Sequence, residues 1–285
     1  MHRGYTDDGL PLHLRDWACN GTPQGTVLIV HGLGEHVGRY HALAADLNQA
    51  GWHVTGYDQR GHGASGGPRG SIPRADSLLV DLARIIDGVR EQGRPGPLAL
   101  LGHSMGGLVA SRFVAEGQAG EPAAWSRPVD ALLLSSPALQ LEMSGGQKLL
   151  LALAGKLAPA LAVGNGLRPE WISRDPGVVR AYEKDPLVHD RVTPRLVRFM
   201  LDGGDAVRAQ AAHWRTPTLL LWAGADRCVA PAGSAAFAAA APRDRVSSQS
   251  YPGLYHEIFN EPERDQVVAR LTGWLLTHAR QETHR

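Results

Sequence analysis

Cysteine and net charge are both scarce in this sequence. Only two cysteines, Cys19 and Cys228, occur among its 285 residues. Two thiols are too few for a disulfide framework and lack metal-ligand spacing, so we expect free thiols in a reducing compartment. Lysine and arginine total 29 against 28 for aspartate and glutamate, which gives a net charge of +1. Because so small a charge exerts no long-range attraction on nucleic acid, we expect no nucleic-acid partner.

Hydrophobic runs long enough to cross a membrane are also absent. The first nine residues contain no apolar segment of the kind found in secretory signals, so we expect a cytoplasmic location. The most apolar stretch, residues 149–163, is interrupted by Lys156 and Pro159 and is too short to span a bilayer. We therefore assign this stretch to the folded part of the protein.

Strand-like and helix-like segments alternate along most of the chain. Asp8-Gly9 predicts a tight turn that joins residues 3–6 and 10–17 into an opening hairpin. The strands predicted after it are 26–30, 52–57, 97–101, 129–135, 218–222 and 245–251, and the predicted helices are 40–50, 74–92, 105–116, 231–240 and 262–277. This order predicts an α/β fold with a mostly parallel sheet and helices on both faces.

The alternation stops between residues 138 and 213. This segment is rich in leucine and alanine at its start and contains X-Pro breaks at Pro176, Pro186 and Pro194, which favour several short helices. An insertion at the carboxyl end of a strand lies over the crevice where open α/β sheets bind ligands. We therefore predict a core formed by residues 1–137 and 214–285, with residues 138–213 as a helical cap, or lid.

The most informative motif is GHSMGG at residues 102–107. A serine between small residues, after a buried strand and before a helix, is typical of a nucleophile elbow, a strained turn that exposes the hydroxyl. A predicted strand and a predicted helix flank this motif, so Ser104 is the predicted nucleophile. The same pattern recurs at Ser65, but that serine lies in the glycine-rich stretch 60–70, which favours a loop.

A serine hydroxyl needs a general base, and the base needs a carboxylate that orients it. In folds with a nucleophile elbow, the acid and then the histidine follow the serine along the chain. His256 follows a predicted strand in a loop, whereas His278 and His284 lie at the end of the last helix and in the tail. His256 is therefore the predicted base. Asp226 comes just after a central strand and is the predicted acid, with a helix N-cap as the alternative.

A tetrahedral oxyanion would need backbone N–H donors beside the nucleophile. The residue after the nucleophile, Met105, supplies one, and the loop HGLGEH at 31–36 supplies the other. Glycine on both sides of Leu33 lets the backbone approach a substrate, so Leu33 is the predicted second donor. The loop lacks a dinucleotide-binding fingerprint, and we expect no cofactor. We expect no metal site, and structural roles for three histidines without ligand-like spacing, namely His31, His62 and His103.

With these residues placed, the chain resembles the monoacylglycerol lipase and lysophospholipase branch of the α/β-hydrolases. The motifs that carry the resemblance are HGLGEH at 31–36 with Arg39-Tyr40, DQRGHGASGG at 58–67, GHSMGG at 102–107, ADR at 225–227 and YHEIFNE at 255–261. The resemblance implies an α/β-hydrolase fold and a cofactor-independent serine esterase that cleaves monoacylglycerols. It also implies that Glu35 and Arg39 contact the glycerol end of a substrate, with an ion pair within the loop as the alternative.

Other functions remain compatible with these residues. A lysophospholipase or a broad-specificity carboxylesterase would use the same nucleophile, base and acid. A hydrolase fold reused for binding typically lacks one of these three residues, and this chain has all of them. The small net charge disfavours a strongly charged head group, and the apolar start of the insertion favours an acyl chain.

Two further expectations concern the surroundings of the site. Residues 149–163 are predicted to form an apolar lid helix that contacts the acyl chain or, transiently, a membrane surface. Cys228 lies two residues beyond Asp226, so we expect activity to be sensitive to thiol reagents.

Overall fold

A seven-stranded sheet forms the centre of the protein. The computed structural model describes residues 4–282, with the backbone alone at Lys148 and at residues 278–282. Arg3, at the start of the predicted hairpin, and His284 lie outside these residues. The strands are β1 (Gly4–Tyr5), β2 (Pro11–Leu12), β3 (Leu14–Trp17), β4 (Thr26–Val30), β5 (His53–Tyr57), β6 (Leu98–His103), β7 (Ala131–Ser135), β8 (Val163–Gly164), β9 (Arg191–Val192), β10 (Thr218–Ala223) and β11 (Val246–Tyr251).

The sheet has the strand order β11-β10-β7-β6-β4-β5-β3. Strand β3 runs antiparallel to β5, and every other neighbouring pair is parallel. The predicted mostly parallel α/β sheet is thus confirmed. The predicted opening hairpin is present only in part: β1 pairs antiparallel with β2 outside the main sheet, whereas residues 14–17 of its predicted second arm form β3 at the edge of the main sheet.

Helices cover both faces of the sheet, as predicted. They are α1 (His41–Gln49), α2 (Ser77–Glu91), α3 (Met105–Gly117), α4 (Gly145–Leu157), α5 (Pro176–Lys184), α6 (Pro194–Gln210), α7 (Pro231–Ala240) and α8 (Arg264–Glu282). The predicted start of α2 at residue 74 is wrong, because the preceding residues form a turn in which the Arg74 N–H donates to Ser77 Oγ. Helix α8 continues to Glu282, beyond the predicted end.

Side-chain alternation along the central strands divides the core into two layers. Leu100 packs in a layer with residues of α2 and α3, such as Leu82, and its neighbour Leu101 packs in the opposite layer with residues of α1 and α8, such as Leu271. All residues of β4, β6 and β7 are buried. Strands covered on both faces are continuously apolar, which is why the sequence identified them without alternation.

In the described part of the chain, the insertion between β7 and β10 contains three α-helices and the short antiparallel pair β8–β9. The predicted helix 149–163 is wrong in its bounds: α4 begins at Gly145, where Ser144 and Gln147 form a capping box, and ends at Leu157. The following Pro159 cannot continue the helix. Helix α6 has 17 residues, longer than the short helices expected, and packs against α3 of the core.

Candidate active site

Ser104 lies at a sharp turn between β6 and α3. Its φ of 53° and ψ of −122° are unusual for a residue with a side chain, because a Cβ disfavours positive φ. The glycines on either side of Ser104 are required because the neighbouring backbone leaves no room for a Cβ. A Cβ on Gly102 would lie 2.5 Å from the Gly106 carbonyl oxygen, and one on Gly106 would lie 2.0 Å from the Val30 carbonyl oxygen. The turn therefore has the strained geometry that the sequence predicts for a nucleophile elbow.

Ser65, which shares the sequence pattern, lies in a different setting. Its hydroxyl donates to the Asp58 carbonyl oxygen and accepts from the His13 N–H. The side chain is buried in the loop between β5 and α2, as predicted for a loop serine. Both capacities of the hydroxyl are thus used within the fold.

Asp226 and His256 are brought together by the parallel pairing of β10 and β11. Asp226 Oδ2 lies 2.7 Å from His256 Nδ1, and both side chains are buried. The other carboxylate oxygen, Oδ1, accepts from the N–H groups of Cys228 and Val229. Asp226 is not the N-cap of α7, the alternative considered from sequence, because Ala230 occupies that position.

The pKa values of His256 and Asp226 are shifted in the directions that favour a histidine acting as a general base. Burial, the largest single effect, lowers the pKa of His256, but the charge and hydrogen bond of Asp226 together with the charges of Glu257 and Glu35 raise it above 6.5. Burial raises the pKa of Asp226, but the His256 contact and the two backbone N–H donors lower it below 3.8. The carboxylate therefore stays ionised and stabilises a protonated imidazole.

Ser104 and His256 line the same cleft, of about 410 Å³. No hydrogen bond joins the Ser104 hydroxyl to the His256 ring among residues 4–282 as described. Such bonds between nucleophile and base are often long without substrate and tighten in the complex. Ser104, Asp226 and His256 are therefore assembled at the carboxyl edge of the sheet, where parallel α/β folds bind ligands.

Two backbone N–H groups near Ser104 are unpaired among the described residues. A Cβ on Gly32 would lie 3.1 Å from the Ser104 Cβ, so the absence of a side chain lets this loop approach the serine. Within the described part of the chain, the N–H groups of Leu33 and Met105 have no acceptor. These are the two groups that the sequence predicts as oxyanion donors.

A second, larger cleft of about 830 Å³ also has Ser104 in its wall. Its walls are mainly apolar and include Leu33, Met105, Ala138, Leu141, Met143, Leu167, Val192, Val197, Met200 and Val229. The smaller cleft is more polar and includes Glu35, His103, Arg168, Tyr182 and Glu257. Ser104 thus lines both a mainly apolar cleft and a more polar one.

Glu35 and Arg39 form the ion pair that was the alternative to substrate contact. Arg39 contacts Glu35 at 3.2 Å and binds Glu257 through two hydrogen bonds of 2.5 and 2.8 Å. Glu35 Oε1 also accepts from the Gly32 N–H and from the Tyr40 hydroxyl. Although burial alone would raise it, the pKa of Glu35 is lowered to about 2, mainly by the charge of Arg39.

Two residues beside the site were not identified from sequence. Glu257 follows the predicted base and holds Arg39, and its position directly after His256 was the only sequence signal for it. Tyr182 of α5 lines the polar cleft, and its ring lies 4.8 Å from the Arg39 guanidinium. These contacts join residues that are far apart in sequence, so local patterns do not reveal them.

The predicted structural histidines are buried and packed together. His31 accepts from the Gln59 N–H through Nε2, and its ring lies 5.4 Å from that of His62. The His103 ring lies 4.7 Å from the His256 ring. Burial, followed by the charge of His256, lowers the pKa of His103 to about 4, which keeps His103 neutral beside the base.

Asp226, Cys228 and His256 are the described side chains that could together hold a metal ion. The first and last of them already hydrogen-bond each other. Burial, followed by the Asp226 charge, raises the pKa of the Cys228 thiol, which opposes the thiolate form that metals bind. This donor set therefore suits proton transfer better than metal binding.

The chain is similar in sequence and fold to several known proteins. The family model described as "Serine aminopeptidase, S33" matches residues 21–263. The chain is 36% identical to a monoacylglycerol lipase of Mycolicibacterium smegmatis, over 92% of this chain and 91% of that protein. It is 32% identical to phospholipase YtpA of Bacillus subtilis, over 86% and 92%. The crystal structure of a monoacylglycerol lipase from Paleococcus ferrophilus superimposes with a TM-score of 0.80, at 34% identity over 94% of this chain and 99% of that one.

Proposed function

We propose that this chain, which belongs to the α/β-hydrolase family described as serine aminopeptidase, S33, hydrolyses monoacylglycerols to fatty acid and glycerol. The observation that carries the proposal is the strained Ser104 near the Asp226–His256 pair, in the wall of both an apolar cleft and a more polar cleft. An ester of a long acyl chain with a small polyol has the same division into apolar and polar halves. The similarity to monoacylglycerol lipases supports the same substrate.

The first half of the proposed reaction transfers the acyl group to Ser104. His256 Nε2 takes the hydroxyl proton as Oγ attacks the ester carbonyl, and the N–H groups of Leu33 and Met105 stabilise the oxyanion. The intermediate collapses with cleavage of the bond between the carbonyl carbon and the glycerol oxygen. His256 then gives its proton to that oxygen, and glycerol leaves.

The second half returns the enzyme to its starting state. Water attacks the acyl-enzyme carbonyl and gives a proton to His256, which passes it to Ser104 Oγ as the fatty acid leaves. Asp226 orients the imidazole and stabilises its protonated form in both halves. No cofactor is needed, because protons and acyl group move only between substrate, water and these side chains.

The two clefts suggest how the substrate lies in the site. The acyl chain occupies the apolar cleft, whose walls include Leu141 and Met143, and the glycerol occupies the polar cleft beside Tyr182. Residues 138–213 act as the cap over both spaces. Transfer of the acyl chain out of water supplies roughly 0.8 kcal/mol for each methylene buried.

The outer face of α4 is suited to transient contact with a lipid surface. Leu149, Leu150, Leu153 and Leu157 are each more than half exposed. Four exposed leucines on one helix are costly in water and favour an interfacial role. No helix of the described residues has the length and apolarity to cross a membrane.

A second candidate substrate is a lysophospholipid. The Arg168 side chain lines the polar cleft, is 65% exposed, and has Glu170 as its nearest carboxylate at 3.5 Å. An exposed guanidinium in the polar cleft is suited to bind the phosphodiester of a lysophospholipid head group. The similarity to phospholipase YtpA supports the same alternative.

Hydrolysis of a matched substrate panel tests these proposals. The panel contains a monoacylglycerol, a lysophosphatidylcholine with the same acyl chain, and short acyl esters. We expect the highest kcat/KM with the monoacylglycerol. Higher kcat/KM with lysophosphatidylcholine, lost in Arg168→Gln, would favour the phospholipid instead, and fast turnover of short esters alone would indicate a general carboxylesterase.

A further inference from the structure

Residues of the insertion contact the loop that carries Leu33 through two hydrogen bonds. We call residues 31–36 the oxyanion loop and residues 185–189 of the insertion the strap. The His189 N–H donates to the Gly34 carbonyl oxygen at 2.9 Å. Asp185 Oδ2 lies 2.8 Å from His36 Nε2. The strap therefore holds the oxyanion loop at two points, both beyond Leu33.

Contacts of the residues on both sides of Leu33 restrict the orientation of its N–H group. On one side, the Gly32 N–H donates to Glu35 Oε1 at 2.6 Å. On the other side, Gly34 has a φ of +77°, and a Cβ there would lie 2.3 Å from the His189 carbonyl oxygen. The hydrogen-bonded groups beside Leu33 thus face the protein, and the N–H of Leu33 is left unpaired within residues 4–282.

The His36–Asp185 contact has defined chemistry. His36 Nδ1 accepts from the Gly38 N–H, so Nε2 carries the proton that is donated to Asp185. The other Asp185 oxygen, Oδ1, accepts from the Leu187 N–H within the strap. Both side chains are largely shielded from water, with 12% of His36 and 24% of Asp185 exposed. A contact shielded in this way is screened less by salt than one on the open surface.

We propose that Asp185, acting through His36, is a positioning residue that holds the Leu33 N–H towards the oxyanion on Ser104. The insertion then contributes to transition-state stabilisation as well as to substrate enclosure. This inference rests on the proposed function, because it assumes that an oxyanion forms at Ser104. It differs from a role in substrate binding, because the groups that join the strap to the loop line neither of the two clefts described above.

Asp185→Asn is the most selective variant for this proposal. The amide oxygen still accepts from the Leu187 N–H, but the amide nitrogen replaces the atom that accepts from His36. We expect kcat on a short acyl p-nitrophenyl ester to fall about tenfold or more, with KM changed by less than about twofold. A short acyl group fills less of the apolar cleft than a long one, so a change in substrate enclosure should affect its turnover less.

Two substitutions of His36 separate its functions. His36→Asn keeps an acceptor near the Nδ1 position for the Gly38 N–H but loses the donor to Asp185. His36→Gln places an amide donor near the Nε2 position. We expect His36→Asn to match Asp185→Asn and His36→Gln to regain most of kcat. Asp190→Asn, an exposed position next to the strap, is the matched control and should behave as wild type.

A trifluoromethyl ketone provides a readout that a purely structural role would not move. It forms a hemiketal oxyanion with serine, so its Ki should rise by the same factor by which kcat falls, while the Ki of a fatty acid product stays constant. Unchanged kcat and ketone Ki in Asp185→Asn would overturn the inference, as would equal losses in His36→Asn and His36→Gln. Retention of activity by Ser104→Ala in the same assay would instead refute the proposed function.

Discussion

Asp226 Oδ2 and His256 Nδ1 lie 2.7 Å apart although 30 residues separate them in sequence. The parallel strands β10 and β11 end side by side, with Ala223 opposite Tyr251. The loop after β10, which carries Asp226, and the loop after β11, which carries His256, therefore lie at the same edge of the sheet. The geometry leaves Nε2 of His256 as the nitrogen for proton exchange with Ser104. The predictions below start from this pair.

Replacement of Asp226 by asparagine should remove most of the activity without unfolding the protein. An amide cannot stabilise the protonated imidazole and favours the wrong tautomer, so kcat should fall about 10³- to 10⁴-fold. Steady-state kinetics together with thermal unfolding would check this. Asp205→Asn, at an exposed position on α6, is the control and should retain wild-type kcat. A loss of less than about tenfold in Asp226→Asn would contradict the role of the carboxylate.

The pH profile of kcat/KM should show an acid limb above pH 6.5. Burial lowers the pKa of His256, but Asp226 together with Glu257 and Glu35 raises it above its ordinary value, and only the neutral imidazole accepts the serine proton. Activity should therefore rise with pH through this raised pKa. A profile measured with a short soluble ester avoids effects of pH on lipid aggregation. An acid limb centred below pH 6.5 would be inconsistent with a base stabilised in this way.

Glu35 should contribute to stability in a pH-dependent way. Its pKa is about 2 in the folded protein against an ordinary value of 4.5, so the stabilisation is complete above pH 4.5 and is lost as the pH falls towards 2. A shift of this size corresponds to roughly 3 kcal/mol at neutral pH. We expect Glu35→Gln to lower the free energy of unfolding by about 2 to 3 kcal/mol at pH 7.

Urea unfolding at several pH values measures this difference. The gap between Glu35→Gln and wild type should narrow below pH 4.5, because the carboxyl is then increasingly protonated in the unfolded state. Glu116→Gln on the exposed side of α3 should change stability by less than about 0.5 kcal/mol. A gap that stays constant down to pH 2 would show that the Glu35 charge is not the cause.

The exposed leucines of α4 should matter only at a lipid surface. In the double variant Leu150→Asp/Leu153→Asp, we expect activity on monoacylglycerol in vesicles to fall by about tenfold or more, because charge on the apolar face opposes interfacial binding. Activity on a soluble short ester should be unchanged. Ala269→Asp/Leu276→Asp on α8 adds the same charge elsewhere and is the control. Equal losses in both double variants would point to net charge instead of the α4 face.

Much of the candidate site could be predicted from local sequence. Ser104 was identified because a strained elbow needs small residues at fixed spacing between a strand and a helix, and His256 and Asp226 because each follows a strand of a parallel sheet. The Arg39–Glu257 contact could not be predicted, since it joins positions 218 residues apart. The strap contacts were missed for the same reason, because they depend on how the insertion folds back.

Helix bounds in the insertion were less predictable than the sheet. The apolar run from residue 149 suggested a start four residues too late, because the Ser144–Gln147 capping box begins α4 with polar residues and glycines. The helix ends at Leu157, two residues before Pro159, although the apolar stretch continues to residue 163. The apolar run alone predicted the wrong bounds for α4. The capping box determines where the helix begins, and the proline prevents it from continuing.

Glycerol release from monooleoylglycerol by wild type and Ser104→Ala is the most direct test of the central claim. Wild-type protein should release glycerol and oleate in equal amounts, and a fluorophosphonate should label Ser104 and abolish the release in proportion to labelling. Ser104→Ala should be folded, unlabelled and inactive. Glycerol release by Ser104→Ala at the wild-type rate, or wild-type protein that neither labels nor hydrolyses, would contradict the account.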